Sequence, residues 1–280
     1  MSVKIVVDST ADLAADIQEN LCIVPLTVHF RDEEYIDGVT ITHQSFYEKL
    51  IETDVLPSTS QATPAAFEEV FRRITENGDD AVVITVSSTL SGTYQSAVIA
   101  AQEYPGRIFV VDSRSAAIGS GILAELALHY TRENLSAAEI AAQIEHERDN
   151  VCVIAMLDTL EYLKKGGRIS KTAAFAGGLL SIKPVVAIKD GEIVMLGKAR
   201  GSKQGNNLLV KEIQNAGGID FSKPILLGYT GLSDVLLQKY ITDSRNLWEC
   251  GTESLRSTII GSVIGTHAGP GAIAAAFFKA

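Results

Sequence analysis

The chain carries a series of short, uninterrupted apolar runs: VKIVVD (3–8), AVVITV (81–86), IFVVD (108–112) and VCVIAML (151–157). A strand made from such a run has no polar face, so it must be covered on both sides. Helix signals fall between the runs. Thr63-Pro64 supplies a hydroxyl cap and a proline at the first helical position, with Asn77-Gly78 as the stop. Further helices are expected at about 11–20, 91–103 and 115–131, and Ser136-x-x-Glu139 has capping-box spacing for a helix to about 149. Strand, helix, strand in regular alternation predicts a parallel, doubly wound α/β sheet.

The pattern changes after about residue 160. Asp190-Gly191 stands between two alternating apolar runs, a strong hairpin signal. Strand-like runs follow at 224–230, 257–265 and 272–278, with helices at about 201–216 and 232–243. This half reads as an α+β unit with a mixed or antiparallel sheet. The expected division is 1–160 for the α/β parallel-sheet domain and 161–280 for the α+β domain, in line with the 280-residue length. IVVDST (5–10) and FVVDSR (109–114) echo each other as two equivalent strand ends in one sheet would.

Composition narrows the function classes. The 24 basic and 34 acidic residues give a net charge of −10, and only 6% of residues are aromatic, so nucleic acid is not an expected partner. Mean hydropathy is slightly positive at +0.16 with 46% hydrophobic residues. No run reaches the roughly 18–20 apolar residues of a membrane span. The N-terminal MSVKIVVDST runs straight into a strand-like segment, with no signal-peptide pattern. Cys22, Cys152 and Cys250 are far apart, and the five histidines lack ligand spacing, so neither a structural disulfide nor a metal site is expected. The expected compartment is cytoplasmic.

Polar chemistry collects in the loops. In an open α/β sheet, ligands sit beyond the carboxyl ends of the strands. Here those loops are Asp8-Ser9-Thr10, Ser58-Thr59-Ser60-Gln61 and Ser87-Ser88-Thr89-Leu90-Ser91-Gly92-Thr93. Each could simply cap a helix. Together, hydroxyls and free N–H groups at helix starts also make an anion site. In the second half, Lys164-Lys165-Gly166-Gly167-Arg168 forms a basic turn, and His267 lies in the glycine-rich segment 265–271 between two apolar runs. Glycine there lets the backbone approach a ligand. The two lysines also suit a solvated helix end. Gly197-Lys198 is followed by Ala199, so there is no P-loop, and no G-x-S-x-G elbow is present. Gly119-Ser120-Gly121 reads as close helix packing within an apolar helix.

The ordered set Asp8-Ser9-Thr10-Ala11-Asp12-Leu13, Pro57-Ser58-Thr59-Ser60-Gln61, Ser87 to Tyr94, Val111-Asp112-Ser113, Leu163 to Ile169 and Gly265 to Gly271 closely resembles the DegV family, over essentially the whole chain. One departure is Ala62-Thr63-Pro64, where the family often has proline directly after the Ser-Gln pair. The resemblance implies a two-domain fold holding a long-chain fatty acid in a tunnel between the domains. It further implies the lipid-binding subunit of a bacterial fatty acid kinase in phospholipid metabolism. Such a subunit has no catalytic engine or cofactor of its own. It presents the acid's carboxylate to a separate ATP-binding subunit, with transient membrane contact compatible with that role.

Carried over by position, Thr59 and Ser91 would hydrogen-bond the carboxylate and His267 would join their network. Ser60, Gly92 and Thr93 enter by adjacency, while Arg168 and Arg200 would help engage the partner. Hydroxyls and N–H groups satisfy a desolvated carboxylate without a buried lysine. At about 0.8 kcal/mol per buried CH2, a sixteen-carbon tail supplies more than about 10 kcal/mol before entropy costs. Tunnel walls are expected at 115–128, 173–182 and 259–264, where small residues such as Ala116, Ala117, Gly119, Gly121, Ala173, Ala174, Gly177 and Gly178 leave room. Tight packing is the competing role of these positions. The rival function is a stand-alone serine-dependent hydrolase or phosphotransferase using Ser91 and His267, which lacks an evident acidic residue to orient the histidine.

Overall fold

The first apolar run forms Val3–Asp8 (β1), which pairs in parallel with Cys22–Val24 (β2) on one side and Asp80–Thr85 (β6) on the other. Ile108–Asp112 (β7) completes a four-stranded parallel sheet of order β2-β1-β6-β7. The computed structural model describes residues 2–169 and 182–280. Alternate residues of each strand enter different cores: Ile5, Val7, Val82 and Ile84 face one way, and Val6, Ala81 and Val83 the other. That two-sided burial is the physical content of an unbroken apolar run.

One face is covered by Pro64–Glu76 (α2) and Thr93–Ala101 (α3), the other by Ile118–Arg132 (α4) and Ala137–Glu147 (α5). Thr63 caps α2 by accepting from Ala66 N at 3.2 Å, and Ser136 with Glu139 forms the capping box of α5. Between β2 and α2 the chain inserts a small antiparallel sheet: Thr27–Phe30 (β3), Glu33–Ile36 (β4) and, after His43–Glu52 (α1), Ser58–Ser60 (β5).

Val151–Met156 (β8) departs from expectation. It does not extend the parallel sheet but lies antiparallel between Ile182–Lys189 (β9) and Ile273–Phe278 (β13). Its apolar run is satisfied equally well by a second sheet, because α4 packs between the two sheets and offers an apolar surface to each. After Glu161–Lys165 (α6), β9 and Glu192–Arg200 (β10) form the expected hairpin, with Asp190 (φ 51°) and Gly191 (φ 82°) both left-handed as a two-residue turn of this kind requires. Gly201–Asn215 (α7), Leu226–Tyr229 (β11), Val235–Asp243 (α8), Ser257–Ile259 (β12) and Ser262–Ala268 (α9) complete the chain. The six-stranded sheet has order β10-β9-β8-β13-β11-β12 and is antiparallel except at β11/β12. Helices α7 and α8 cover its outer face, and α4 with the first sheet lies on its inner face.

Two other segments differ from their sequence reading. Residues 11–20 contain only a short 3-10 turn. Their start is held from outside, with Asp12 N donating to Ala117 O at 3.3 Å and the Asp12 carboxylate accepting from Gly261 N at 2.6 Å. Residues 257–265 are not one strand: β12 ends at Ile259 and α9 begins at Ser262, so His267 lies in the last turn of a short helix rather than in a loop.

Candidate functional site

A cavity of about 390 Å³ lies between the two sheets, within the roughly 300–1,000 Å³ range of small-molecule sites. Its floor is the inner face of the six-stranded sheet. Period-2 alternation brings Val153 and Ala155 of β8, Val186 and Ile188 of β9, Ile193 of β10, Ala274 of β13 and Gly228 of β11 to that face. From β10 to β11 the floor crosses four strand spacings, about 19 Å. Ala116 and Ala117 before α4, together with Ile260, Val263 and Ile264, supply further apolar wall.

Polar side chains enter from separate elements. Thr59 sits on β5, Ser91 and Gly92 in the loop before α3, Arg168 after α6, and His267 on α9; all line the cavity. Thr59 Oγ1 and His267 Nε2 are 3.0 Å apart. Arg168 donates from Nε to Leu90 O at 3.2 Å and from Nη1 to Gly166 O at 2.7 Å, which fixes the guanidinium beside the imidazole. Burial, and then the adjacent Arg168 charge, push the His267 pKa down to about 4. The ring is therefore neutral near pH 7. Its Nδ1 is buried with no hydrogen-bond partner among the described residues, because it faces Gly166, where a Cβ would lie 2.2 Å away.

Ser91 Oγ hydrogen-bonds Thr93 Oγ1 at 2.9 Å, and Thr93 is fully buried behind it at the start of α3. At Gly92 a Cβ would lie 2.1 Å from Gln61 Oε1, so a side chain there would displace the Gln61 amide. Ser60 lines the cavity while its hydroxyl contacts His29 Nε2 at 2.8 Å. Thus Thr59, Ser60, Ser91, Gly92, His267 and Arg168 come together at one cavity, with Thr93 in support. Arg200 does not join them. It is exposed at the end of β10, where its N–H donates to Gln204 Oε1 at 3.1 Å. Lys164 and Lys165 end α6, and Lys165 pairs with Glu161 at 2.8 Å.

The expected tunnel walls divide. Ala116 and Ala117 line the cavity, but Gly119 and Gly121 serve packing: a Cβ on Gly119 would lie 2.3 Å from Val153 Cγ2, and one on Gly121 2.1 Å from Asp12 O. Ala173, Ala174, Gly177 and Gly178 lie outside the described residues. Gln61 and Thr230 are additional polar lining residues. Gln61 was legible as part of the Ser-Gln pair, and its Nε2 donates to Ser96 Oγ at 2.9 Å. Thr230 carries no local signal; its hydroxyl accepts from Ala272 N at 2.7 Å after β11 ends.

The geometry offers hydrogen-bonding groups at an apolar chamber rather than a nucleophile–base pair. Ser91 bonds to Thr93 and His267 to Thr59, so the relay of a serine hydrolase is not assembled among the described residues. Among those residues no group of three His, Cys, Asp or Glu side chains is placed to hold a metal, and no helix is long and apolar enough to cross a membrane.

The chain is similar to a DegV domain-containing protein of Caldanaerobacter subterraneus, 36% identical with 99% of this chain and 98% of the relative covered. Its fold matches a solved DegV family protein from Thermus thermophilus, described by its fatty acid binding, with TM-score 0.88, 32% identity and full coverage of both chains. It also matches a stearic acid-binding protein from Eubacterium ventriosum with TM-score 0.86 and 27% identity, over 100% of this chain and 99% of the other. The family profile described as an uncharacterised protein of the DegV family matches residues 2–280. The chain belongs to the DegV family.

Proposed function

We propose that this protein is a fatty-acid carrier. In this reading the tail of a long-chain acid occupies the apolar chamber, and its carboxylate is held by Thr59 and Ser91, with His267 in their network. The observation that carries the reading is the joining of an apolar floor spanning about 19 Å to hydroxyls and a neutral imidazole contributed by separate elements. Removing apolar carbon from water supplies the affinity, and the donors offset carboxylate desolvation. The fatty-acid binding described for the Thermus protein and the stearic acid of the Eubacterium protein support the same ligand class.

The family resemblance supports the finer reading. The acid is presented to a separate ATP-binding kinase subunit in the cytoplasm, which phosphorylates the carboxylate, and this chain supplies binding rather than catalysis or a cofactor. Arg168, fixed beside His267, and Arg200, exposed at the end of β10, are the residues assigned to docking. In this reading the ligand lies between the parallel-sheet unit and the six-stranded-sheet unit, the latter including β8 as well as the chain after about residue 160.

Replacement of both Thr59 and Ser91 by alanine tests the carboxylate assignment. The variant is expected to keep the fold and lose most phosphorylation of the bound acid by the partner kinase. Unchanged phosphorylation would contradict the assignment. Turnover of an ester or phosphate by the protein alone would favour the hydrolase alternative.

A further inference from the structure

The loop that carries Ser91 is held at five points, one of them Ser87 N donating to Ser115 O at 2.8 Å just before α4. Two belong to its own sheet: Val86 N donates to Asp8 Oδ2 at 2.7 Å, and Ser88 Oγ donates to Asp112 Oδ2 at 2.5 Å. These fix the loop at the ends of β1, β6 and β7. The other two come from the opposite half of the molecule. Arg168 reaches Leu90 O at 3.2 Å, and the carbonyl of Gly191, at the turn of the β9–β10 hairpin, accepts from Ser87 Oγ at 2.9 Å and from Thr89 Oγ1 at 2.5 Å.

The contact with the turn is closely fitted. Ser87 is fully buried, and a Cβ on Gly191 would lie 2.5 Å from its hydroxyl. Ser87 Oγ also accepts from Thr89 N at 3.3 Å, while Ser87 O accepts from Leu90 N at 3.0 Å and Ser91 N at 3.1 Å. Ser87 thus joins the backbone that presents Ser91 both to Ser115 O, through its N–H, and to the β9–β10 turn, through its hydroxyl. Strands β9 and β10 supply part of the cavity floor, so this contact registers the polar loop over the apolar chamber.

We propose that Ser87 and Thr89, bonded to the β9–β10 turn, are positioning residues that set the discrimination of the site between a carboxylate and a neutral head group. The proposal rests on the fatty-acid reading of the cavity. Neither residue needs to touch the ligand. The floor stays apolar without them, so tail binding is retained while head-group placement is lost.

The experiment measures dissociation constants of palmitate and of hexadecanol, which has the same tail without the carboxylate, for wild type, Ser87→Ala, Thr89→Val and Thr89→Ser. Losing one such hydrogen bond is expected to weaken palmitate binding roughly fivefold to tenfold in Ser87→Ala and Thr89→Val. Hexadecanol binding should change by less than about twofold, and Thr89→Ser, which keeps the hydroxyl, should restore the wild-type ratio. Thr89 is exposed, so Thr89→Val tests the contact if the buried Ser87→Ala fails to fold. Parallel loss for both ligands, or a wild-type acid-to-alcohol ratio in Ser87→Ala and Thr89→Val, overturns the proposal alone. Wild-type protein that does not distinguish acid from alcohol overturns the fatty-acid reading and this proposal with it.

Discussion

His267 concentrates the electrostatics of the site. Its imidazole is held neutral by burial and by Arg168, with the pKa pushed down to about 4 from 6.5. The unfolded chain therefore takes up a proton before the folded chain does. Stability is fully present above about pH 6.5 and is lost as pH falls toward 4, on the order of 3 kcal/mol from this residue. Replacing His267 with Gln should flatten the acid side of a chemical-denaturation profile across that window; an unchanged profile would locate the acid sensitivity elsewhere. A bound carboxylate favours the protonated ring, so loading the protein with a long-chain acid should raise the His267 titration midpoint by NMR. Gly166 is the steric counterpart. Gly166→Ala places a methyl 2.2 Å from Nδ1, and should cost roughly 1–3 kcal/mol while shifting the His267 resonances.

At the scale of elements, α4 decides the architecture. It is apolar nearly all round and fills the space between two sheets, which is why β8 could be read as a strand but not assigned to the right sheet. Gly121→Ala would place a Cβ 2.1 Å from the backbone oxygen of Asp12, and backbone cannot move aside as a side-chain tip can. A loss of roughly 1–3 kcal/mol by denaturant titration is expected; wild-type stability would contradict the packing role. The hairpin at Asp190-Gly191 and the caps of α2 and α5 were legible because they rest on local chemistry. Segment 11–20 has local helix preference, but its partners, Ala117 and Gly261, are distant in sequence and override it. The position of His267 on α9 was hidden similarly, since Ile259 to Gly265 reads as strand until Gly261 and Ser262 turn it into a helix. Of the site, the hydroxyl-bearing loops and their grouping at the strand ends were legible from the residues, while the individual roles of Thr59, Ser91 and His267 rest on the family resemblance.

On the scale of the whole molecule, ligand and fold are thermodynamically linked. A ligand that binds only the folded protein adds about 2.7 kcal/mol at a hundred times its dissociation constant. For a chain of this length that corresponds to a Tm increase on the order of 5–10 °C, which calorimetry should detect with palmitate and should not detect with a short-chain acid at the same concentration. The 46% hydrophobic and 6% aromatic composition suits this arrangement, because aliphatic and small side chains such as Val153, Ala155, Ala274 and Gly228 leave a smooth floor. The central claim is that the chamber between the sheets holds a long-chain carboxylic acid. Native mass spectrometry of the purified protein tests it most directly. The account predicts an adduct with the mass of a long-chain fatty acid, removed by delipidation and restored stoichiometrically by added palmitate; protein that shows no adduct before or after that addition would contradict it.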